Sequence, residues 1–140
     1  MATEKLTPIT VETTVNKPIN QVWKYWTNPE DIVQWNFASP DWHCPYAEND
    51  IQTGGKFKST MAARDGSMSF DFEGIYANVI AEKLIEYGLA DGRQVKITFE
   101  DLGEQTKVVE TFDPETENTI ELQRGGWQAI LDNFKAHAES

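Results

Sequence analysis

The stretch that decides the fold is Pro29-Glu30-Asp31-Ile32-Val33-Gln34-Trp35-Asn36, which has the pattern of a short amphipathic helix. Two glycine pairs follow it: Gly54-Gly55 before a strand pattern, and Gly125-Gly126 inside a helical pattern near the C-terminus. In this order they predict a curved sheet gripped by a long C-terminal helix, with aromatic side chains walling the space between. Such a fold encloses a pocket, so the sequence points to a pocket rather than to a catalytic constellation.

The composition is that of a single folded domain. The chain has 140 residues, of which 39% are hydrophobic and 25% charged, as in ordinary globular proteins, so we predict one domain over residues 1–140. No apolar run reaches the length of about 20 residues that crosses a bilayer, and residues 1–7 lack the basic start and apolar stretch of a signal peptide. Cys44 is the only cysteine, which fits a reducing cytoplasm.

The net charge of the chain argues mainly against anionic partners. Its formal net charge is −11, and DNA, RNA and anionic lipid are recognised through clustered lysine and arginine. We therefore expect no nucleic-acid partner and no membrane partner. The acidity is sufficient to keep the protein soluble, and the sequence is compatible with a homodimer.

The order of elements indicates an α+β fold. Alternating apolar residues from Ile9 to Val15 predict a first strand. Two short helices follow, the first starting near Pro18 and the second capped by Asn28 with Pro29 at its first position. Residues 36–45 read as a loop rich in aromatic side chains. Strand patterns then cover residues 57–61, 68–76, 85–89, 95–99 and 106–112, and a helix begins at about Asn118. One strand, two helices, about six strands and one long helix is an α+β order.

Two features of these elements remain open. In the last strand, Glu110 points inward if Val108 and Phe112 do, and a buried carboxylate needs a partner or has its charge state disturbed; Val109 competes for the same face. In the C-terminal helix, each glycine of the pair 125–126 weakens the helix by about 1 kcal/mol relative to alanine. These glycines make sense if the helix lies close against a sheet or leaves room for a ligand. The first alternative predicts that Gly126→Leu is destabilising.

Several short motifs are spread along the chain. They are Pro18-Ile19 with Val22-Trp23, Thr27-Asn28-Pro29-Glu30 with Trp35, Asp50 before Gly54-Gly55, Asp65-Gly66, Phe72-Glu73-Gly74-Ile75-Tyr76, Thr106, and Gly126-Trp127. With these motifs the chain resembles the SRPBCC superfamily of START and Bet-v-like helix-grip domains, and within it the activator of heat-shock-protein-90 ATPase homologue-like group. The segment from Asp41 to Asp50 resembles a signature of small, single-domain bacterial members. The resemblance implies a strongly curved antiparallel sheet wrapped around a long C-terminal helix.

The resemblance and the aromatic pattern together predict a cavity that binds a small apolar or aromatic molecule. The predicted lining is Trp35, Phe37, Trp42, Phe57, Met61, Phe70, Phe72, Tyr87, Ile97, Phe99, Trp127, Ile130 and Leu131. Trp23 and Trp26 are expected in the core. Two other functions stay open: an enzyme of the polyketide cyclase or aromatase kind, and a stress-related co-chaperone. The eukaryotic activators for which the group is named have an additional N-terminal domain, which we do not expect here.

The side chains that usually carry catalysis or bind metals do not form a recognisable site. His43 and Cys44 are adjacent, which is poor spacing for two ligands of one ion, and no third group completes a Cys-His pair. His137 lies in the last helical turn, where a cation suits the negative helix end. Asp41, Glu48 and Asp50 flank turns and are expected to be solvated or bonded to loop amides. We therefore predict no catalytic residue, no metal and no cofactor.

Overall fold

A computed structural model of the chain describes residues 7–140; the predictions that concern residues 1–6, including the absence of a signal peptide, lie outside them. The elements are β1 (Ile9–Val15), α1 (Ile19–Thr27), α2 (Pro29–Trp35), β2 (Trp42–Asn49), β3 (Lys56–Ala63), β4 (Ser69–Ile80), β5 (Leu84–Leu89), β6 (Gln94–Asp101), β7 (Thr106–Phe112) and α3 (Ile120–Glu139).

The seven strands form one antiparallel sheet in the order β1-β7-β6-β5-β4-β3-β2. The first two strands of the chain are thus its two edges, and α1 and α2 connect them. The sheet curls into a half-barrel, with α3 packed on β1 at one end and α2 packed on β2 at the other. The predicted α+β helix-grip architecture is confirmed.

The two short helices begin and end where their sequence predicts. Asn28 ends α1 and caps α2, its side-chain oxygen accepting a hydrogen bond of 3.0 Å from the amide of Glu30. Pro29 at the first position of α2 loses nothing, because its missing N–H would have no partner inside the helix. Ile32 and Trp35 of α2 are buried, as is Val22 of α1. The helices therefore present their apolar sides to the sheet.

The prediction of a loop over residues 36–45 is wrong for its second half, because β2 begins at Trp42. Pro45 and the neighbouring aromatic residues hide this strand, since proline lacks the N–H that a central strand needs. The edge position of β2 tolerates Pro45, and its pairing with β3 shifts register between His43 and Tyr46. Such a bulge absorbs the residue that cannot join the ladder.

Helical spacing predicts that one apolar stripe of α3 faces the interior, formed by Leu122, Trp127, Ile130, Leu131 and Phe134. This prediction holds in the second half of the helix only. Leu131 and Phe134 are fully buried, whereas Leu122 is 62% exposed. Gln123 is buried instead, and its amide group accepts from the backbone N–H of Glu115 at 2.9 Å and donates to the backbone carbonyls of Glu115 and Asn118. Polar contacts thus fasten the start of α3, and apolar contacts hold its end.

Of the two alternatives for the glycine pair of α3, the structure contradicts close contact with the sheet and agrees with open space. A Cβ atom at Gly126 or Gly125 would meet nothing within 4 Å, so no close contact with the sheet requires glycine there. At Gly74 in β4, a Cβ would lie 2.7 Å from the carbonyl oxygen of Gly88 and 2.8 Å from the ring of Phe57. The close approach is therefore inside the sheet, where the ring of Phe57 covers its cross-strand partner Gly74.

Candidate functional site

A cavity of about 300 Å³ lies on the inner side of the sheet, beneath the helices. The residues that line it are Trp26, Ile32, Trp35, Asn36, Glu48, Asn49, Phe57, Ser59, Met61, Phe70, Phe72, Tyr76, Ile85, Tyr87, Arg93, Ile97, Glu110, Trp127 and Ile130. They come from all three helices, from strands β2 to β7 and from the turn between β5 and β6. Phe70, which is 52% exposed, places one part of the wall at the surface.

The wall of the cavity is an interlocked set of aromatic rings. The ring centre of Phe57 lies 4.7 Å from that of Tyr87, 5.2 Å from that of Tyr76 and 5.9 Å from that of Phe72. On the helix side, Trp127 stacks on Phe112 at 3.9 Å with an angle of 11° between the planes. Its ring also meets Phe72 edge-on at 6.2 Å. Trp127 thus connects α3 with two strands of the sheet.

The structure brings most of the predicted residues to this cavity: Trp35, Phe57, Met61, Phe70, Phe72, Tyr87, Ile97, Trp127 and Ile130. Those on strands share the inner face because successive side chains alternate between the two faces. Their convergence from β3, β4, β5 and β6 follows from the pairing of these strands side by side.

Two of the predicted residues, Phe99 and Leu131, are in the core instead of the cavity wall. Phe99 is 6% exposed, and Trp23 and Trp26 of α1 meet its ring edge-on at 5.3 and 5.7 Å. Leu131 is fully buried. Both face inward as predicted, but α1 covers the sheet at Phe99, and Leu131 lies on the buried side of α3. Trp26, which we expected only in the core, also lines the cavity.

Phe37 and Trp42 lie outside the lining because of where α2 and β2 place them. Phe37 follows the end of α2; its carbonyl oxygen accepts from the side chain of Asn133, and the guanidinium of Arg64 lies 6.0 Å from its ring centre. Trp42 begins β2, and its ring lies 5.8 Å from that of Phe70. Trp42 is therefore next to a wall residue without lining the cavity itself.

Several lining residues were not predicted, and only some of them carried a signal. Tyr76 and Ile85 share the alternating faces of Phe72 and Tyr87, so the same period could have found them. Ser59 lies between two predicted residues of β3 but is polar. The other lining residues reach the cavity because of how the helices, β2 and a turn fold over the sheet, which no local sequence pattern predicts. They are Trp26, Ile32, Asn36, Glu48, Asn49 and Arg93.

Polar contacts hold Tyr76 in place at one end of the cavity. Its hydroxyl donates to the side-chain oxygen of Asn49, and the amide nitrogen of Asn49 donates to the carbonyl oxygen of Thr27 at 2.8 Å. Burial raises the pKa of Tyr76, and the nearby charge of Asp50 adds to this, against the opposing effect of the Asn49 bond. Tyr76 is therefore a neutral, oriented phenol that connects β4, β2 and the end of α1.

Glu110 is the one acidic side chain on the inner face of β7. Thr106, Val108, Glu110 and Phe112 are all buried, which resolves the facing of this strand in favour of an inward Glu110. Its residue is 5% exposed, and burial raises the pKa of its carboxyl from 4.5 to about 8. Burial, and next the charge of Glu110, hold the pKa of Tyr87 well above its ordinary value. At neutral pH the carboxyl is mostly protonated, so the cavity contains a neutral acid among aromatic rings.

Arg93 is the cationic residue of the cavity lining within residues 7–140. Its Nε donates to the carboxylate of Asp91 at 2.7 Å. Asp91 has a lowered pKa through its bonds with the backbone and side chain of Arg93. The pair lies in the β5–β6 turn, where Asp91 offsets the charge that Arg93 brings to the cavity.

His43, Cys44 and His137 stay outside the cavity. Cys44 is buried, its thiol donates to the carbonyl of Tyr46 at 3.3 Å, and burial raises its pKa, which disfavours the reactive thiolate. His137 has a side-chain partner in another helix, since its Nε2 lies 3.0 Å from the carboxylate of Asp31 in α2. Within the described part of the chain, no three His, Cys, Asp or Glu side chains group closely enough to hold a metal ion.

No helix formed by residues 7–140 is long and apolar enough to cross a membrane.

Comparison with known proteins gives the same architecture and names the family. No curated protein matches this chain. The solution structure of an AHSA1-like protein from Aeromonas hydrophila is 42% identical with a TM-score of 0.89, over 95% of this chain and 92% of that one. A solution structure from Cytophaga hutchinsonii is 55% identical with a TM-score of 0.82, over 94% and 92%. A crystal structure from Chromobacterium violaceum shares the fold at 20% identity, with a TM-score of 0.84 over 96% and 99%.

The match to a family is broader than any single motif. Residues 16–139 match the family described as Activator of Hsp90 ATPase homolog 1-like protein, and this range takes in the two short helices, β2 to β7 and α3. The protein therefore belongs to the Activator of Hsp90 ATPase homolog 1-like family, whose members have the helix-grip fold of the SRPBCC superfamily.

Proposed function

We propose that the protein binds a small apolar or aromatic molecule in the cavity beneath its helices. The observation that carries this proposal is a cavity of about 300 Å³ with aromatic walls and few polar groups. Its volume is at the lower end of the range typical of ligand sites, and sites of this kind combine apolar walls with a small number of placed polar groups. Asn49, Tyr76, Arg93 and Glu110 supply such groups here.

A neutral apolar dye, N-phenyl-1-naphthylamine, tests the proposal by fluorescence titration. We expect saturable binding that Trp127→Ala weakens or strengthens severalfold, because Trp127 forms the helix side of the wall. Leu122→Ala is the matched control, since Leu122 is on the same helix but is exposed and outside the lining. His43→Ala should also leave binding nearly unchanged. Circular dichroism confirms that each variant is folded.

Equal dye binding by the Trp127→Ala, Leu122→Ala and parent proteins would contradict this site. The dye would then bind elsewhere on the surface.

One observation favours a second candidate function, an enzyme of the cyclase or aromatase kind. Glu110 is a carboxyl with a pKa of about 8 inside a pocket, and groups tuned in this way can act as general acids near neutral pH. An enzyme of this kind would hold a reactive substrate in a productive conformation and protonate it. Loss of turnover in Glu110→Gln with substrate binding retained would establish the enzyme; unchanged turnover would exclude this role for Glu110.

A further inference from the structure

In the cavity wall, the hydroxyl of Tyr87 and the carboxyl of Glu110 both lack a hydrogen-bond partner in the described part of the chain, and Glu110 is the acidic group of the two. Within residues 7–140, its carboxyl has no hydrogen-bond partner, and burial alone accounts for its altered titration. Every fully enclosed side-chain nitrogen or oxygen in this part of the chain does have a partner. The oxygens of Glu110 therefore border the open space of the cavity, which Glu110 lines.

A buried polar group without a hydrogen-bond partner destabilises the protein, and a buried charged group without one does so more strongly. Such groups in native proteins call for an explanation, and one is a ligand that completes the bonding. A ligand could do so by offering an acceptor to the acid proton or by offering a cation to the carboxylate.

The surroundings of Glu110 favour the cation. Tyr87, close enough for its titration to respond to the charge of Glu110, belongs to the same ring cluster as Phe57 and Phe72. The faces of aromatic rings attract cations, and they offer no comparable attraction to a neutral acceptor. The net charge of −11 also draws cations toward the protein and repels anions.

The following inference rests on the proposed binding function. We propose that the cavity recognises a lipophilic amine, whose aromatic or apolar body lies among the rings and whose single ammonium group pairs with Glu110. Before binding, the carboxyl holds its proton; on binding, that proton passes to the solvent and the ammonium replaces it. Glu110-COOH plus the free ammonium ion gives a carboxylate–ammonium pair plus one released proton.

The other charged and titratable groups that border the cavity do not take this role. Glu48 on β2 is exposed and accepts from the hydroxyl of Tyr46 at 2.7 Å. Arg93 on the β5–β6 turn is paired with Asp91. Tyr76 on β4 and Tyr87 on β5 both have pKa values raised by burial, so they remain neutral.

The proton release makes the proposal measurable on the unmodified protein. The probes are 1-naphthylmethylamine and 1-naphthalenemethanol, which have the same rings and differ in the amine. Isothermal titration calorimetry at pH 6.5 in two buffers of different ionisation enthalpy reports the protons exchanged. We expect release of about one proton for the amine and none for the alcohol. The amine affinity should rise close to tenfold per pH unit from pH 6 to about 8 and then level off.

Glu110→Gln supplies the matched variant, because an amide replaces a neutral acid of almost the same shape. It should abolish both the proton release and the pH dependence for the amine. Glu100→Gln is the control, since Glu100 is an exposed acid on the neighbouring strand β6. It should bind both probes like the parent.

The outcomes separate this inference from the proposed function. Equal binding of amine and alcohol, without proton release, overturns the amine proposal and leaves the apolar cavity standing. Amine affinity that falls as pH rises from 6 to 8 also overturns it, because the carboxyl would then act only as a proton donor. Failure of both probes to bind overturns the inference together with the proposed function.

Discussion

The carboxyl of Glu110 connects the stability of the fold to pH. Its pKa is about 8 in the folded chain against an ordinary value of 4.5. The raised value means that the unfolded chain loses this proton first as pH rises. The stability gained by keeping the acid neutral is complete below about pH 4.5 and is lost progressively up to about pH 8, by up to about 1.4 kcal/mol per pH unit.

We predict that the stability difference between Glu110→Gln and the parent grows with pH. Between about pH 5 and pH 8, the variant should gain on the parent by up to about 1.4 kcal/mol per unit, and above pH 8 the difference should be constant. Urea denaturation at pH 5.5, 7, 8 and 9 measures it, and Glu100→Gln should give a difference that stays flat. A flat difference for Glu110→Gln as well would mean that its carboxyl titrates like an exposed one.

At the scale of elements, the sheet is tight where β3, β4 and β5 meet. Gly74→Ala places a Cβ at 2.7 Å from the carbonyl oxygen of Gly88 and 2.8 Å from the Phe57 ring. We predict destabilisation by about 1–3 kcal/mol, as for other overpacked sites. Gly88→Ala on the neighbouring strand is the matched control, because its Cβ would meet nothing within 4 Å.

Urea denaturation of the Gly74→Ala and Gly88→Ala variants checks this prediction. Equal stability of the two would show that the Phe57 ring moves aside at no cost.

In contrast to the tight packing at Gly74, open space surrounds the glycines of helix α3. Because open space surrounds the Cβ position of Gly126, Gly126→Ala should stabilise the protein by about 0.5–1 kcal/mol through helix propensity and a less flexible unfolded chain. Thermal denaturation measures the change. A loss of stability would mean that α3 needs closer contact with the sheet at this point than its backbone indicates.

The elements also show why parts of the fold were predictable. Strands β1 and β3–β6 follow from alternation and from turn residues such as Asp65-Gly66, whereas the adjacent Val108 and Val109 left the facing of β7 ambiguous. The cap at Asn28 follows from its position just before Pro29. Strand β2 was missed because Pro45 and a bulge interrupt its pattern, and Leu122 was misplaced because Gln123, anchored by its amide, takes the buried position.

At the scale of the whole molecule, the sequence predicts which face of the sheet is inside but not where the inside is empty. Phe99 and Phe57 have the same inward orientation, yet Phe99 packs under Trp23 and Trp26 while Phe57 borders the cavity. That difference depends on where α1 crosses the sheet, which is a long-range property. The inward position of Glu110 was equally open until pairing with β1 and β6 fixed the register of β7.

The irregularity of β2 has a further consequence, because β2 is one of the two edge strands of the sheet. A long, flat edge strand offers unpaired N–H and C=O groups on which another chain can polymerise. Here β2 contains Pro45, which has no N–H to offer, and its ladder is broken between His43 and Tyr46. The same irregularity that disguised this strand in the sequence makes β2 a poor template for the addition of another strand at this edge of the sheet.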